Sequence, residues 1–556
     1  MVEATMAKAR YVGVTKAKSD GATYTPAKLA GFVADRILAN ADLPKGRPVR
    51  LLDPAVGHGE LLLALLDRLN GPVVVCGYET DQNALGETER RLAALEVQGE
   101  IQLRGRSFLE HVLNDFGGGL FCSEEPYDLI IANPPYIRTQ ILGAGRAKQL
   151  AAQFELSGRV DMYHAFLLGM VRVLAPDGAA GFIVSNRFMT TKGGASVRHA
   201  MQTQMRLSEI YDLGDTKMFD AAVLPAVLVG RGLNSKMAEP KFSSIYQARE
   251  DAEKYVSDPL EALQYSGVVG LPDGRAFNVR HGVLDSKDNG SGTWRLASPA
   301  VDEWLAAVES KTWGTFRDVA KIRVGVKTTA DKVFIPKEWE EELELLKPLT
   351  THHTGQRFRP KAPTRKILYT HFVENGKRNV VNIENFPKSK AYLETHRSTL
   401  EGRKYVADAG RKWYEIWVPQ NPEEWSKQKL VFRDISEKPM FWMDMDETVV
   451  NGDCYWMAGK EDHLWLALAV GNSSFIERFY DHRFNNKLYA GRRRFITQYV
   501  ELFPLPDPTL NHSREIISKC RTLYAKLGER PVPHLEAELD QMVWEAFGLK
   551  SSEIAG

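Results

Sequence analysis

Tyr127-Asp128-Leu129-Ile130-Ile131-Ala132-Asn133-Pro134-Pro135-Tyr136 is the stretch from which the fold is read. Its first six residues form a short, mostly apolar run, the signature of a strand buried on both faces of a parallel sheet. The run stops at two prolines, which cannot continue a ladder. An amide, a stiff corner and an aromatic ring therefore stand at the carboxyl end of a strand, where open α/β sheets place ligands. Proline fixes its own φ and restricts the residue before it. The Asn133 amide and the Pro134 carbonyl are thereby held in a fixed relation, two acceptor oxygens suited to one planar NH2 group. In isolation the same residues would also make an ordinary strand-ending turn.

A nucleobase amine is a poor nucleophile because its lone pair is delocalised into the ring. Two acceptors that grip both N–H bonds favour a pyramidal nitrogen with the lone pair free. Tyr136 is placed to stack on the ring. Base–aromatic stacking is worth roughly 1–3 kcal/mol per base, comparable with the few kcal/mol that extruding a base costs.

Working outward from this strand, Val49-Arg50-Leu51-Leu52-Asp53-Pro54-Ala55-Val56-Gly57-His58-Gly59-Glu60 precedes a helical run from Leu61 to Leu69. Strand, glycine turn and helix bring backbone close to a ligand. A second strand over 73–78 ends in Glu79, about twenty residues past the turn, the spacing at which a carboxylate grips a ribose diol. Leu62 occupies the third glycine position of the dinucleotide fingerprint, and Asp53 adds a carboxylate that pyrophosphate would avoid. The ammonium of S-adenosylmethionine would welcome it. Asp53 would otherwise be a turn or helix-capping carboxylate. Further upstream, Gly21-Ala22-Thr23-Tyr24-Thr25-Pro26 leads into a helix over 27–38, with Thr25 expected as its N-cap and Pro26 as its first residue.

Downstream, residues 137–160, with Gly143, Gly145 and Gly158, read as a mobile loop beside the site. A helix over 161–174, a strand over 181–186 and strands at 209–213 and 226–229 complete an alternating βα pattern with a late hairpin. Phe219 lies just before the last strand and is open to two readings, core ring or ligand wall. Residues 236–285 show little periodicity and read as a connector. Beyond Trp294 aromatic and basic residues interleave. Residues 323–334 read as strand, turn, strand. Arg357, Arg359, Lys361, Arg365 and Lys366 form one acid-free cluster. Arg403-Lys404 and Arg411-Lys412-Trp413-Tyr414 follow, and Arg483, Lys487, Arg492, Arg493 and Arg494 form another, with Phe484 and Tyr489 among them. Each run alone would be a solvated face. Together they read as phosphate contacts with scattered base readers. Two amphipathic helices, 512–527 and 535–549, close the chain.

The whole chain bounds these readings. Its 556 residues suit roughly three domains or two large ones, and 44% hydrophobic content builds sizeable cores. A net charge of +1 excludes a polycation, so a nucleic-acid footprint must be local. Cys76, Cys122, Cys454 and Cys520 lie far apart, which argues against a zinc site or a disulfide framework and suits a reducing cytoplasm. Residues 1–11 lack the apolar core of a signal peptide, and no run of about eighteen apolar residues predicts a membrane span.

This order of elements resembles the gamma class of DNA adenine-N6 methyltransferases, the TaqI-like type, well over 21–232 and more loosely over 315–510. The resemblance implies a Rossmann-like S-adenosylmethionine-dependent methyltransferase domain followed by an α+β DNA target-recognition domain. The corresponding division is an arm at 1–20, a catalytic domain at 21–240, a connector at 241–315 and a target-recognition domain at 316–556. Thr23, Tyr24, Thr25 and Pro26 match the family's first cofactor motif. Asp53, Ala55, Gly57 and Gly59 match its main cofactor loop, and Glu79 its ribose ligand. Asn133, Pro134 and Tyr136 match the catalytic tetrad, with Asn133 also beside the cofactor, and Phe219 the second aromatic against the flipped base. Ser107 stands where the family usually has an aspartate on the cofactor's adenine amine; a serine can still accept. Phe108 or Ile137 is expected to flank that adenine. Lys327, Arg357, Arg359, Arg411, Lys412, Trp413, Arg492, Arg493 and Arg494 are the expected DNA contacts.

The activity expected is methyl transfer to N6 of an adenine flipped out of double-stranded DNA, by a cytoplasmic monomer that has no membrane partner. A separate cognate restriction endonuclease is a partner the sequence leaves open. The weighed alternatives are a protein-glutamine methyltransferase, an inactive DNA-binding subunit and a fused restriction–modification enzyme.

Overall fold

The computed structural model describes residues 25–95, 97–115, 125–136, 144–156, 161–219, 224–236, 238–286, 292–484, 488 and 491–551. Thr23, Tyr24, Ile137, Gly143, Gly158, Lys487 and Tyr489 lie outside the described residues. The chain forms two compact units, the first running to Pro299 and the second beginning at Ala300.

The first unit starts with α1 (Ala27–Asn40), β1 (Val49–Asp53), α2 (Glu60–Leu66), β2 (Val73–Tyr78), α3 (Gln82–Ala93), β3 (Gly99–Arg104), α4 (Phe108–Asp115) and β4 (Tyr127–Ala132). It continues through α5 (Ala144–Gln153), α6 (Met162–Val173), β5 (Leu174–Ser185), α7 (Ala195–Thr203), β6 (Arg206–Asp212) and β7 (Pro225–Arg231). The remaining elements are β8 (Lys241–Ala248), β9 (Lys254–Tyr255), α8 (Pro259–Ala262), β10 (Gly267–Gly270), β11 (Ala276–Asp285) and β12 (Arg295–Ala297).

These strands make one twelve-stranded sheet in the order β3-β2-β1-β4-β5-β7-β6-β8-β11-β10-β9, with β12 beside β11. Strands β3, β2, β1, β4 and β5 are parallel, and β7 runs against both β5 and β6. Every residue of β4 is buried, as an apolar run sandwiched between helices requires. One face carries α4 and α6 and buries Phe108, Phe166, Ile130 and Phe182. The other carries α1 and α2 and buries Val33, Leu62, Leu129 and Ile131. The strand order reverses between β1 and β4, so their carboxyl ends form a topological switch point.

Four expectations are corrected. The presumed connector is part of the sheet: β8 pairs with β6, and β11 with β8, over eight residue pairs. The pattern was illegible because Ser243 and Ser244 are buried inside β8, so polar and apolar residues do not alternate along it. The presumed loop after Tyr136 contains the helix α5. Pro26, extended at φ −62° and ψ 140°, is the N-cap of α1, one residue later than expected. Proline holds the residue before it out of the helical region, and the Thr25 hydroxyl is engaged elsewhere. In the second unit, 331–334 is a helical turn rather than a strand.

The second unit is α+β, as expected. A four-stranded sheet takes the order Arg323–Val324, Cys454–Met457, Lys429–Arg433, Phe441–Asp444, and a three-stranded sheet the order Arg365–Leu368, Leu346–Thr350, Val449–Val450. Trp425, Trp442, Trp456 and Tyr369 fill its core. The helices Glu461–Gly471, Asn511–Leu527 and Pro533–Ala546 pack together. Among the described residues, no helix is long and apolar enough to cross a membrane.

Candidate active site

Strand β1 delivers Asp53 and strand β4 delivers Asn133 to the same edge of the sheet, because Leu52 is in register with Ile130. Asp53 is 0% exposed. Its Oδ1 accepts from the Ala55 N–H at 3.0 Å, while Oδ2 is buried with no hydrogen-bond partner among the described residues. Burial raises its pKa from 3.8 to about 7; the Ala55 amide opposes the rise and the charge of Glu79 adds to it. A buried carboxylate that is half satisfied asks for a cation.

The turn after β1 depends on its glycines. Gly57 takes φ +53°, with open space where a Cβ would stand, and its N–H donates to Glu79 Oε2 at 3.0 Å. Gly59 takes φ +83° as the N-cap of α2, and a Cβ there would stand 2.9 Å from Thr88 Cγ2. Both positions therefore require glycine. Thr88 donates from its hydroxyl to the Gly57 carbonyl at 2.8 Å. Glu79 Oε1 accepts from the Thr80 and Asp81 N–H groups at 2.7 and 2.8 Å, so its carboxylate is already fixed in place at the end of β2.

At the proline corner, the Asn133 amide nitrogen donates to Thr25 Oγ1 at 3.0 Å. This bond distinguishes the two ends of the amide, with the nitrogen turned to Thr25. Pro134 is buried. The Tyr136 hydroxyl donates to the Ile183 carbonyl at 3.2 Å, and its ring packs 5.9 Å from that of Tyr163. Burial holds the phenol proton far above its ordinary range, so this hydroxyl is neither an acid nor a base near neutral pH. Phe219 is 8% exposed and belongs to the apolar cluster on the opposite sheet face from the one that Tyr136 packs against.

Ser107 is half-buried at the turn between β3 and α4. Phe108 is 1% exposed, its ring taken up by Tyr78 and Phe166 at centroid distances of 5.6 and 5.9 Å. It packs as a core residue in this structure. Sequence reasoning missed Thr88 and the Thr25–Asn133 bond, both of which join segments distant in the chain.

The basic residues of the second unit divide sharply. Arg493 is 7% exposed and holds Asp481 at 2.7 and 2.8 Å and Glu477 at 3.0 Å, with a further bond to the Glu437 carbonyl. Arg494 pairs with Asp434 at 3.2 Å. Arg357 pairs with Glu536 at 3.1 Å and donates to the Asn472 carbonyl, and Arg359 stacks on Tyr524 and donates to its carbonyl. Arg493 is an internal tie, contrary to the expectation of a phosphate contact, while Arg357, Arg359 and Arg494 stay half-buried beside these partners. An acid-free window in sequence says nothing about carboxylates that folding brings in from elsewhere.

Lys327, Lys412 and Arg492 are exposed. Arg411 stacks 4.7 Å over Trp417, and Arg397 stacks 5.0 Å over Trp413. Arg397, Arg411, Lys412 and Trp413 line a cleft of about 760 Å3 within this unit, together with Asn382 and Glu394.

Residues 85–219 match the Eco57I restriction-modification methylase family, and 373–505 match the TaqI-like C-terminal specificity domain. The type II methyltransferase M.BanIII of Aneurinibacillus aneurinilyticus is 38% identical over 96% of this chain and 98% of its own length. The chain belongs to the type II methyltransferases. A second relative, the tRNA1(Val) (adenine(37)-N6)-methyltransferase of Pseudoalteromonas atlantica, is 26% identical over 23% of this chain and 46% of its own. The cryo-EM structure of the DrdV–DNA complex shares the fold, with a TM-score of 0.52 and 12% identity over 93% of this chain and 58% of that one. This type II methyltransferase thus joins a methylase unit to a specificity domain, the arrangement of a DNA methyltransferase in a restriction–modification system.

Proposed function

We propose that the protein transfers a methyl group from S-adenosylmethionine to N6 of an adenine flipped out of duplex DNA. The observation that carries this reading is the switch point itself. A half-satisfied buried carboxylate, Asp53, and an asparagine amide oriented by Thr25 leave adjacent strands at one edge of the sheet. The cofactor supplies an electrophilic methyl on a sulfonium when bound.

The chain's own residues fit that cofactor. Asp53 Oδ2 is the partner for its ammonium, Glu79 for its ribose hydroxyls, and the open space at Gly57 admits it to the backbone. Ser107 is the acceptor offered to its adenine amine. On the substrate side, the Asn133 oxygen and the Pro134 carbonyl accept from the two N–H bonds of N6. Tyr136 and Phe219, drawn from the clusters on opposite sheet faces, supply a ring for each face of the base. No carboxylate belongs to this group, so the proton is lost to water after transfer. Rate comes from holding the amine in line with the methyl, since good orientation can supply roughly 7–11 kcal/mol of a barrier.

The relative named for adenine-N6 methylation supports the choice of amine. The specificity-domain match and the full-length relation to M.BanIII favour DNA over a protein glutamine. Lys327, Lys412, Arg492 and the Arg397–Trp413 cleft are the proposed DNA contacts. In a restriction–modification system the methylated sites would resist a separate endonuclease.

The test is transfer of label from tritiated S-adenosylmethionine to plasmid DNA, with digestion to nucleosides. Label in N6-methyladenine supports the reading. Label in methylcytosine, or transfer to protein alone, overturns it.

A further inference from the structure

Strands β5 and β6 both run antiparallel to β7, so they point the same way as β4. Asn186, directly after β5, and Asp212, the last residue of β6, therefore leave the sheet at the same edge as Asn133. Asp212 is fully buried. It accepts from the Tyr246 hydroxyl at 2.7 Å, from the Asn186 amide nitrogen at 2.9 Å and from the Gly214 N–H at 3.2 Å. The same Asn186 nitrogen lies 3.1 Å from the Tyr246 hydroxyl, which closes the triangle.

The turn that follows Asp212 runs to Phe219, and it is clamped along its length by the strands first read as a connector. Gly214, at φ +48°, lies so close to β8 that a Cβ would stand 2.2 Å from the Ile245 carbonyl oxygen. The buried carboxylate of Asp215 accepts from the Gln247 N–H at 2.8 Å. The Thr216 carbonyl accepts from Arg275 Nη1 at 3.1 Å, just ahead of β11. Lys217 is then held at φ +58°. A buried polar triangle and two further bonds are more than a surface turn needs, and each one ties this turn to β8 or to the approach to β11. Partly satisfied buried networks are costly and fully satisfied ones rigidify, so such a set fixes one geometry.

We propose that Tyr246, through the Asp212 carboxylate, is a positioning residue for methyl transfer. With Arg275 it holds the turn 213–219 in the one arrangement that presents the Phe219 ring to the substrate base. This assignment rests on the reading of Phe219 given above. It gives the extension of the sheet by β8 and β11 a task in catalysis.

The experiment compares Tyr246→Phe, Phe219→Ala and the double variant of the full-length protein, with tritiated S-adenosylmethionine and plasmid DNA. Tyr246→Phe is expected to lower kcat on the order of tenfold, the scale of a small misplacement, with the KM for S-adenosylmethionine unchanged. The double variant is expected to be no slower than Phe219→Ala, because the tyrosine acts only through that ring. Losses that multiply in the double variant would overturn the proposal, as would a Tyr246→Phe enzyme with unchanged kcat. A Phe219→Ala enzyme of undiminished kcat would remove the base-contact reading, and the proposal with it. If Tyr246→Phe does not fold, Arg275→Gln replaces it, since among the described residues this half-buried side chain reaches the turn through the Thr216 carbonyl. The same loss, and the same lack of additivity with Phe219→Ala, are required of it.

Discussion

The amide of Asn133 donates to the hydroxyl of Thr25 across 108 residues of sequence, at 3.0 Å. The bond ties the proline corner to the residue that leads into α1, and in the proposed reaction it selects which end of the amide faces the substrate. Thr25→Val keeps the shape and removes the acceptor. We expect kcat to fall on the order of tenfold, more than the affinity for S-adenosylmethionine does, and Thr25→Ser to recover most of the rate. Single-turnover methylation and equilibrium binding measure the two separately.

Tyr136 separates ring from hydroxyl. Among the described residues its phenol reaches the Ile183 carbonyl alone, so Tyr136→Phe is expected to retain activity within about threefold. Tyr136→Ala loses the stacking surface, worth roughly 1–3 kcal/mol, and is expected to fall at least tenfold. Asn133→Ala should abolish methylation with cofactor binding intact. Equal activity in Tyr136→Ala and the parent enzyme would remove the ring from the mechanism.

Asp53 is expected to make the free protein and the cofactor complex respond oppositely to pH. Its pKa is 3.8 in the unfolded chain and about 7 in the folded protein. Its contribution to stability is fully present below 3.8 and is lost as the pH rises through about 7, because the folded state holds the proton more tightly. An ammonium, however, is bound by the carboxylate. Affinity for S-adenosylmethionine should rise about tenfold per unit towards pH 7 and then level off, with a proton released on binding below that pH. Calorimetry in two buffers of different ionisation enthalpy counts that proton, and Asp53→Asn should release none.

The arginines of the second unit should separate stability from DNA binding. Arg493→Ala leaves Asp481 and Glu477 without their shared cation, and breaking a buried pair of this kind costs about 3–5 kcal/mol. We expect a large drop in the denaturation midpoint. Arg492→Ala, next to it but exposed, should leave that midpoint unchanged. It should weaken DNA binding and reduce the salt dependence by about one phosphate contact. The reverse pattern would return Arg493 to the DNA surface.

The methylase half of the fold was legible because its signals are local. Prolines after an apolar run, glycines at positive φ and a carboxylate at a strand end act on neighbours within a few residues, so their order in sequence is enough. That is why Asp53, Gly57, Glu79 and Asn133 could be named without coordinates, and why the structure brings the first and last of them to one edge of the sheet. Strand β8 escaped notice because a strand is stabilised by its partners. Buried serines between two neighbouring strands obey those partners and not an alternation of their own.

Charge was the least legible property. Arg357, Arg359, Arg493 and Arg494 stood in windows free of acid, yet Glu536, Asp481 and Asp434 reach three of them through folding, and a tyrosine carbonyl the fourth. Coulombic partnership depends on distance in space, which the linear order does not contain. The sequence alone determined the class of sheet, which residues stand at its switch point and the presence of a second, basic and aromatic unit. Only the tertiary structure decided which cations remain at the surface, where Phe108 is spent, and that the strands after residue 240 brace the turn leading to Phe219. Each of those outcomes comes from groups far apart in the chain competing for the same space.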